Sequence, residues 1–148
     1  MLKPTRILVP TDYSEYSSKA LRQAIDIAKE YNAKVYLLHV IAEHAIQTID
    51  EYSIGIEVVQ EIEAQILAKA RENMEKQLAK FSEDKDVEII ADIRIGVPYD
   101  EILKEEEEKK IDLIVIASLG KTGISKYLIG SVARNVLKGA KRPVLLTK

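Results

Sequence analysis

The chain has 148 residues, 47% of them hydrophobic and 31% charged, with a formal net charge of −2. That length can bury a full core as one domain, 1–148, and the composition excludes intrinsic disorder. Acidic and basic residues are mixed and cysteine is absent, which excludes an electrostatic footprint for nucleic acid or membrane, disulfides and thiolate metal sites.

The N-terminus, Met1-Leu2-Lys3-Pro4-Thr5-Arg6, runs directly into a strand-like segment. It lacks the apolar stretch of about 7–15 residues that a secretory signal needs. No apolar run approaches the ~20 residues that span a bilayer. A soluble, cytoplasmic protein is expected.

Ile7-Leu8-Val9-Pro10 is apolar without alternation, as in a strand buried on both faces. Thr11-Asp12-Tyr13-Ser14 reads as a turn, with Ser14 placed to cap the following helix. Ala20, Leu21, Ala24, Ile25 and Ala28 recur at helical spacing, and Asn32 is a stop. Lys34 to Ile41 is a second strand, and Glu43 to Gly55 has no period and reads as irregular. A long amphipathic helix over Ile56 to Phe81 follows, with Val59, Ile62, Ile66, Ala70, Met74, Leu78 and Phe81 on one stripe of core residues. Val87, Ile89, Ala91, Ile93 and Ile95 then alternate with Glu88, Asp92 and Arg94, which predicts an edge strand with a solvated face.

Gly96-Val97-Pro98 punctuates, and a helix from about Tyr99 carries Ile102 and Leu103 into Glu105-Glu106-Glu107-Glu108-Lys109-Lys110. Glu105 with Lys109, and Glu106 with Lys110, stand four apart, so this run reads as a solvated helix face. Asp112 to Ala117 is the fourth strand. A short helix spans Val132 to Lys138, with Gly139 as its C-cap, and Pro143 to Thr147 is the last strand.

The alternation of strand and helix predicts an α/β fold: a Rossmann-like domain with a five-stranded parallel sheet and helices on both faces. The uniformly apolar first and fourth strands belong at the centre and the alternating third at an edge, which gives the order 3-2-1-4-5. Ligands then bind beyond the carboxyl ends of strands one and four. Thr11-Asp12 and the stretch from Ala117 to Ser131 meet there. That stretch holds Gly120, Gly123 and Gly130 of the chain's six glycines, with Lys121 and Lys126. A glycine-bearing loop entering a helix N-terminus offers unpaired N–H groups to an anion.

Gly120-Lys121-Thr122 is not a P-loop, because Val115 stands where that motif needs glycine and Gly123 interrupts the helix start. No Gly-x-Gly-x-x-Gly follows the first strand and no Gly-x-Ser-x-Gly elbow exists. His39 and His44 have no ligand spacing, and His39 inside an apolar strand reads as a structural histidine. No catalytic base or nucleophile stands out.

Nine residues separate Gly120 from Gly130-Ser131. Together with Val9-Pro10-Thr11-Asp12, Leu38-His39-Val40, Gly96-Val97-Pro98 and Pro143-Val144-Leu145-Leu146, this resembles the universal stress protein A family over essentially the whole chain. The most specific part is that family's ATP-binding signature, Gly-x2-Gly-x9-Gly-Ser/Thr. Gly120 and Gly130 match its second and third glycines, and Ser131 matches its hydroxyl. Ala117 departs from the first glycine, and Leu119 replaces a residue that is often polar. A positive φ at Ala117 would cost roughly 1–2 kcal/mol; an extended backbone there would make the change harmless.

The resemblance implies an ATP-binding regulatory protein of the stress response, with ADP or AMP as other adenine nucleotides and Mg²⁺ held through the phosphates. It implies that Pro10, Thr11 and Asp12 lie by the nucleotide, with Asp12 near the ribose. Val40 would meet adenine through its backbone, and Ala117, Ser118, Gly120, Gly130, Ser131 and Val132 would line the ribose and phosphates. Asp12 as a plain turn residue and Ser131 as a plain cap are the bland alternatives. The resemblance also implies a homodimer through the last strand. Two other functions fit the family pattern: an interaction protein that binds no nucleotide, and a slow ATPase or phosphotransferase.

Overall fold

The computed structural model describes residues 1–44, 55–120 and 128–148. Strand β1 (Arg6–Pro10) is followed by α1 (Glu15–Tyr31) and β2 (Lys34–Ala42). Helix α2 (Ile56–Ala79), β3 (Ile89–Gly96), α3 (Pro98–Glu108), β4 (Leu113–Ala117), α4 (Ser131–Gly139) and β5 (Val144–Thr147) complete the order. Residues 45–54, most of the stretch read as irregular, lie outside the described residues, as do Lys121 and Lys126.

The strands form one parallel sheet in the order β3-β2-β1-β4-β5, as the apolar patterns predict. Alternate strand residues feed two cores. Ile7, Val9, Val35, Leu37 and Val115 meet Leu21 and Ile25 of α1 and Met74 of α2 on one face. Leu8, Tyr36, Leu38, Ile114 and Ile116 meet Ile102 of α3 and Val136 of α4 on the other. Strands β1 and β4 are therefore buried on both faces because a parallel crossover leaves helices on each side.

Local signals set the element ends. Ser14 caps α1 by accepting the Ser17 N–H at 3.2 Å. Asn32 closes the helix in the left-handed conformation, φ 55°, where an asparagine is tolerated. Pro98 stands in the first turn of α3, where its missing N–H costs nothing. Gly139 is not the C-cap. It lies inside α4, and Ala140 is the capping residue, with extended backbone. A Cβ on Gly139 would fall 2.6 Å from Leu103 Cδ1, so a larger residue there would make that side chain of α3 shift.

Two further expectations are corrected. The apolar stripe of α2 is core only in its second half. Ala70, Met74 and the following Phe81 are buried, whereas Val59, Ile62 and Ile66 are only half-buried. The run Glu105–Glu108 is solvated only in its second half: Glu105 is 0% and Glu106 5% exposed, whereas Glu107 and Glu108 are exposed. Glu106 Oε1 accepts the backbone N–H groups of Lys141 and Arg142 at 3.0 and 2.9 Å, which ties α3 to the turn before β5. Glu105 Oε2 lies 2.7 Å from Arg94 Nη2 of β3. That ion pair lacks hydrogen-bond alignment, so neither Glu105 oxygen has a hydrogen-bond partner among the described residues. Arg94 also meets Glu101 at 3.3 Å, and Glu108. Burial raises the Glu105 carboxyl above the ordinary carboxylate value, against the pull of the Arg94 guanidinium.

Candidate functional site

The sheet opens between its two central strands. β1 and β4 pair only through Ile7 with Leu113 and Leu8 with Ile114. Beyond that, β1 stays paired with β2 as far as Pro10 and Leu38, and β4 with β5 as far as Ala117 and Thr147. The parting of the central pair makes a crevice at the carboxyl ends, the switch point of the fold. A cleft of about 310 Å³ occupies it, at the lower end of the range for small-molecule sites. Pro10, Thr11, Asp12, Val40, Ala117, Ser118, Gly120, Gly130, Ser131 and Val132 all line it. The structure thus brings every sequence-predicted site residue to one place.

The α4 side of the cleft is rich in donors. Gly130 is the N-cap and Ser131 the first helical residue, one position from the predicted start, and no side chain caps the helix. Ser131, Val132 and Ala133 of its first turn face the cleft, so their N–H groups and the partial positive charge of the helix end point there. The Gly130 N–H is spent otherwise. It donates to the Ser118 carbonyl at 2.7 Å, and Ser118 N–H donates to Thr147 O at 2.8 Å. Gly130 therefore closes the base of the loop.

Ala117 ends β4 in register with Thr147. The described non-glycine residues with positive φ are Tyr13, Asn32 and Lys110, so Ala117 has strand backbone and its methyl brings no left-handed strain.

Opposite α4 stands the turn after β1. Asp12 Oδ1 accepts the Ser14 N–H at 3.0 Å, the turn role. Its other oxygen, Oδ2, lies so close to Gly120 that a Cβ there would collide with it. Glycine at 120 is what lets the carboxylate sit against the loop. Thr11 is 6% exposed, and its hydroxyl turns away from the cleft to donate to Gln77 Oε1 at 2.7 Å. Tyr13 adopts φ 67°, a left-handed conformation that costs such a residue roughly 1–2 kcal/mol. Burial pushes its phenol well above the ordinary value.

The third wall is apolar. Pro98 and Ile102 of α3, with Leu38 and Ile116, line it beside Val40. Sequence reading missed this wall, although Gly96-Val97-Pro98 marks the start of the helix that supplies it. His39 is the structural histidine expected, its Nδ1 2.8 Å from Thr11 O and its ring 4.3 Å from that of Tyr13. It also lines the cleft.

No described helix is long and apolar enough to cross a membrane. The model of the Universal stress protein family matches residues 4–148. Universal stress protein MJ0531 of Methanocaldococcus jannaschii is 37% identical over 143 residues, covering 97% of this chain and 81% of that protein. The solved structure of protein MJ0577, from the same organism, is 31% identical with a TM-score of 0.84 and covers 99% of this chain and 97% of the other. A universal stress protein crystallised in complex with cAMP is 26% identical with a TM-score of 0.66, over 99% and 98% of the two chains. The sheet order, the crevice with its glycine loop and these likenesses agree, and the chain belongs to the Universal stress protein family.

Proposed function

We propose that the cleft binds an adenine nucleotide, with ATP as the working ligand, and that nucleotide occupancy gives the whole chain, 1–148, a regulatory role in the cytoplasm. One observation carries the reading. The uncapped first turn of α4 and the Asp12 carboxylate face each other across a single cleft with an apolar third wall. These three surfaces match the three parts of a nucleotide. Phosphate oxygens take the N–H groups of Ser131, Val132 and Ala133. Ribose hydroxyls donate to Asp12. The base lies on Val40, Pro98 and Ile102, with the Val40 backbone giving it direction. The relative crystallised with cAMP supports an adenine ligand for a cleft of this kind.

Mg²⁺ enters in this reading with the phosphates. Among the described residues no three histidines or carboxylates gather into a metal site, and Mg²⁺ commonly binds through phosphates and water. The test is direct. Freshly purified protein is denatured and the released small molecules are read by mass spectrometry, alongside calorimetry with ATP. An adenine nucleotide in the released fraction, or saturable heat with ATP, is expected; the absence of both would sink the reading.

The protein also forms a homodimer through β5 in this proposal. Among the described residues that strand is paired on one side only, with β4, and Leu145 is exposed, an edge that a second copy would cover. Light scattering should give twice the monomer mass, and Leu145→Lys should give a monomer. A monomeric wild type at high concentration would end the dimer proposal.

A further inference from the structure

Helix α2 lines no part of the cleft, yet it grips the turn that carries Asp12 at two points. Gln77, 3% exposed, accepts from the Thr11 hydroxyl through Oε1 and donates through Nε2 to Ser18 Oγ at 3.1 Å. Two helical turns earlier, the Ala70 carbonyl accepts the Tyr13 hydroxyl at 2.8 Å. Between these tethers Thr11 is fully engaged. Its N–H donates to Leu38 O at 2.8 Å, and its hydroxyl oxygen accepts the Tyr13 N–H at 3.0 Å. Its carbonyl meets His39 Nδ1. A strained Tyr13 persists only where its surroundings over-determine it, and such strain gathers at functional sites. Here the surroundings are the α2 contacts, and the residue they flank is Asp12.

We propose that Gln77 and the Tyr13 hydroxyl are positioning residues for the nucleotide. From α2 they hold Thr11 to Ser14 in the conformation that presents the Asp12 carboxylate to the ribose. The proposal rests on the nucleotide reading above. Gln77 never touches the ligand and acts through the Thr11 hydroxyl, which in turn receives the Tyr13 N–H. The Tyr13 hydroxyl acts by anchoring the left-handed residue that follows Asp12.

The experiment measures ATP affinity by calorimetry for wild type, Gln77→Met and Tyr13→Phe, each with Asp12 intact and in an Asp12→Ala background. Methionine keeps the length of glutamine without its polar ends, and phenylalanine keeps the ring against His39. Each substitution should weaken ATP binding about tenfold, the scale of one lost buried hydrogen bond. It should cause no further loss once Asp12 is gone, because the effect runs through that carboxylate. In the ligand-free variants, amide exchange at Tyr13 and Ser14 should quicken while the amides of β1 keep their protection. Equal affinity in wild type and both variants would overturn the positioning role alone, and so would a tenfold loss that persists without Asp12 or unchanged exchange at Tyr13 and Ser14. A wild type that binds no ATP would instead fail the nucleotide reading, and this proposal with it, before any variant is compared.

Discussion

Gly130→Val should abolish ATP binding while leaving the protein folded. Gly130 has φ −57° and ψ 153°, a conformation open to valine. Among the described residues a Cβ there meets only the Ser118 carbonyl, at 3.4 Å. The backbone therefore accepts the new residue, at the ~1 kcal/mol that a poor N-cap costs. Gly130 lines the cleft directly before the first turn of α4, so the two added methyl groups should crowd the place where phosphate would sit. Affinity should fall at least about a hundredfold, which corresponds to about 2.7 kcal/mol. Calorimetry with ATP and a thermal melt check both halves of the expectation. An unchanged affinity would place the phosphates elsewhere.

Arg94→Met should be the most damaging single change away from the cleft. Arg94 is one guanidinium facing Glu101, Glu105 and Glu108 of α3, with Asp92 beside it on β3 at 3.9 Å. The Glu105 side chain is 1% exposed, so removing the arginine leaves a buried carboxylate without its contacting counter-charge, with only the weaker pull of Lys109 acting on it. Breaking such a pair typically costs about 3–5 kcal/mol. The penalty should depend on pH with a definite sign. Glu105 already titrates above its ordinary value, and losing Arg94 raises it further. The folded variant then binds a proton that the unfolded chain has released, so its stability rises as pH falls toward the unfolded value near 4.5. Urea midpoints at neutral and mildly acid pH for Arg94→Met, and for Arg94→Met with Glu105→Gln, provide the check. The double variant should lose this pH dependence. A single variant as stable as wild type at neutral pH would mean that Glu105 is not held by Arg94.

That ion cluster also shows why a correct local rule misread α3. The spacing of Glu105 with Lys109 and Glu106 with Lys110 follows the neighbour rule for an isolated helix. The partners that bury these carboxylates are not on the helix. Arg94 comes from the edge strand, and the Lys141 and Arg142 amides come from the turn before β5. Arg94, read with Asp92 as the solvated face of β3, lies against the acidic face of α3 for the same reason, whereas the Asp92 side chain remains 45% exposed. The stripe on α2 erred the other way: its period continues past the point where the helix packs, since period reports a face and not what covers it.

The sequence by itself determined the order of elements, the positions of β1 and β4 at the centre and β3 at the edge, and the residues that gather at the crevice. The order and the strand positions follow from runs and alternations of apolar residues, properties of neighbours along the chain, and the crevice residues from the switch point of the fold and the resemblance to the universal stress protein A family. Only the tertiary structure decided how the crevice opens, because β1 and β4 part after two pairs while keeping their outer partners. It alone turned the Thr11 hydroxyl away from the cleft toward Gln77, 66 residues distant. It also committed the Gly130 N–H to Ser118 and gave Ala117 the extended backbone that makes its methyl harmless. Hydrogen bonds between residues so far apart leave no period in the sequence. They exist only once the sheet has set the distances.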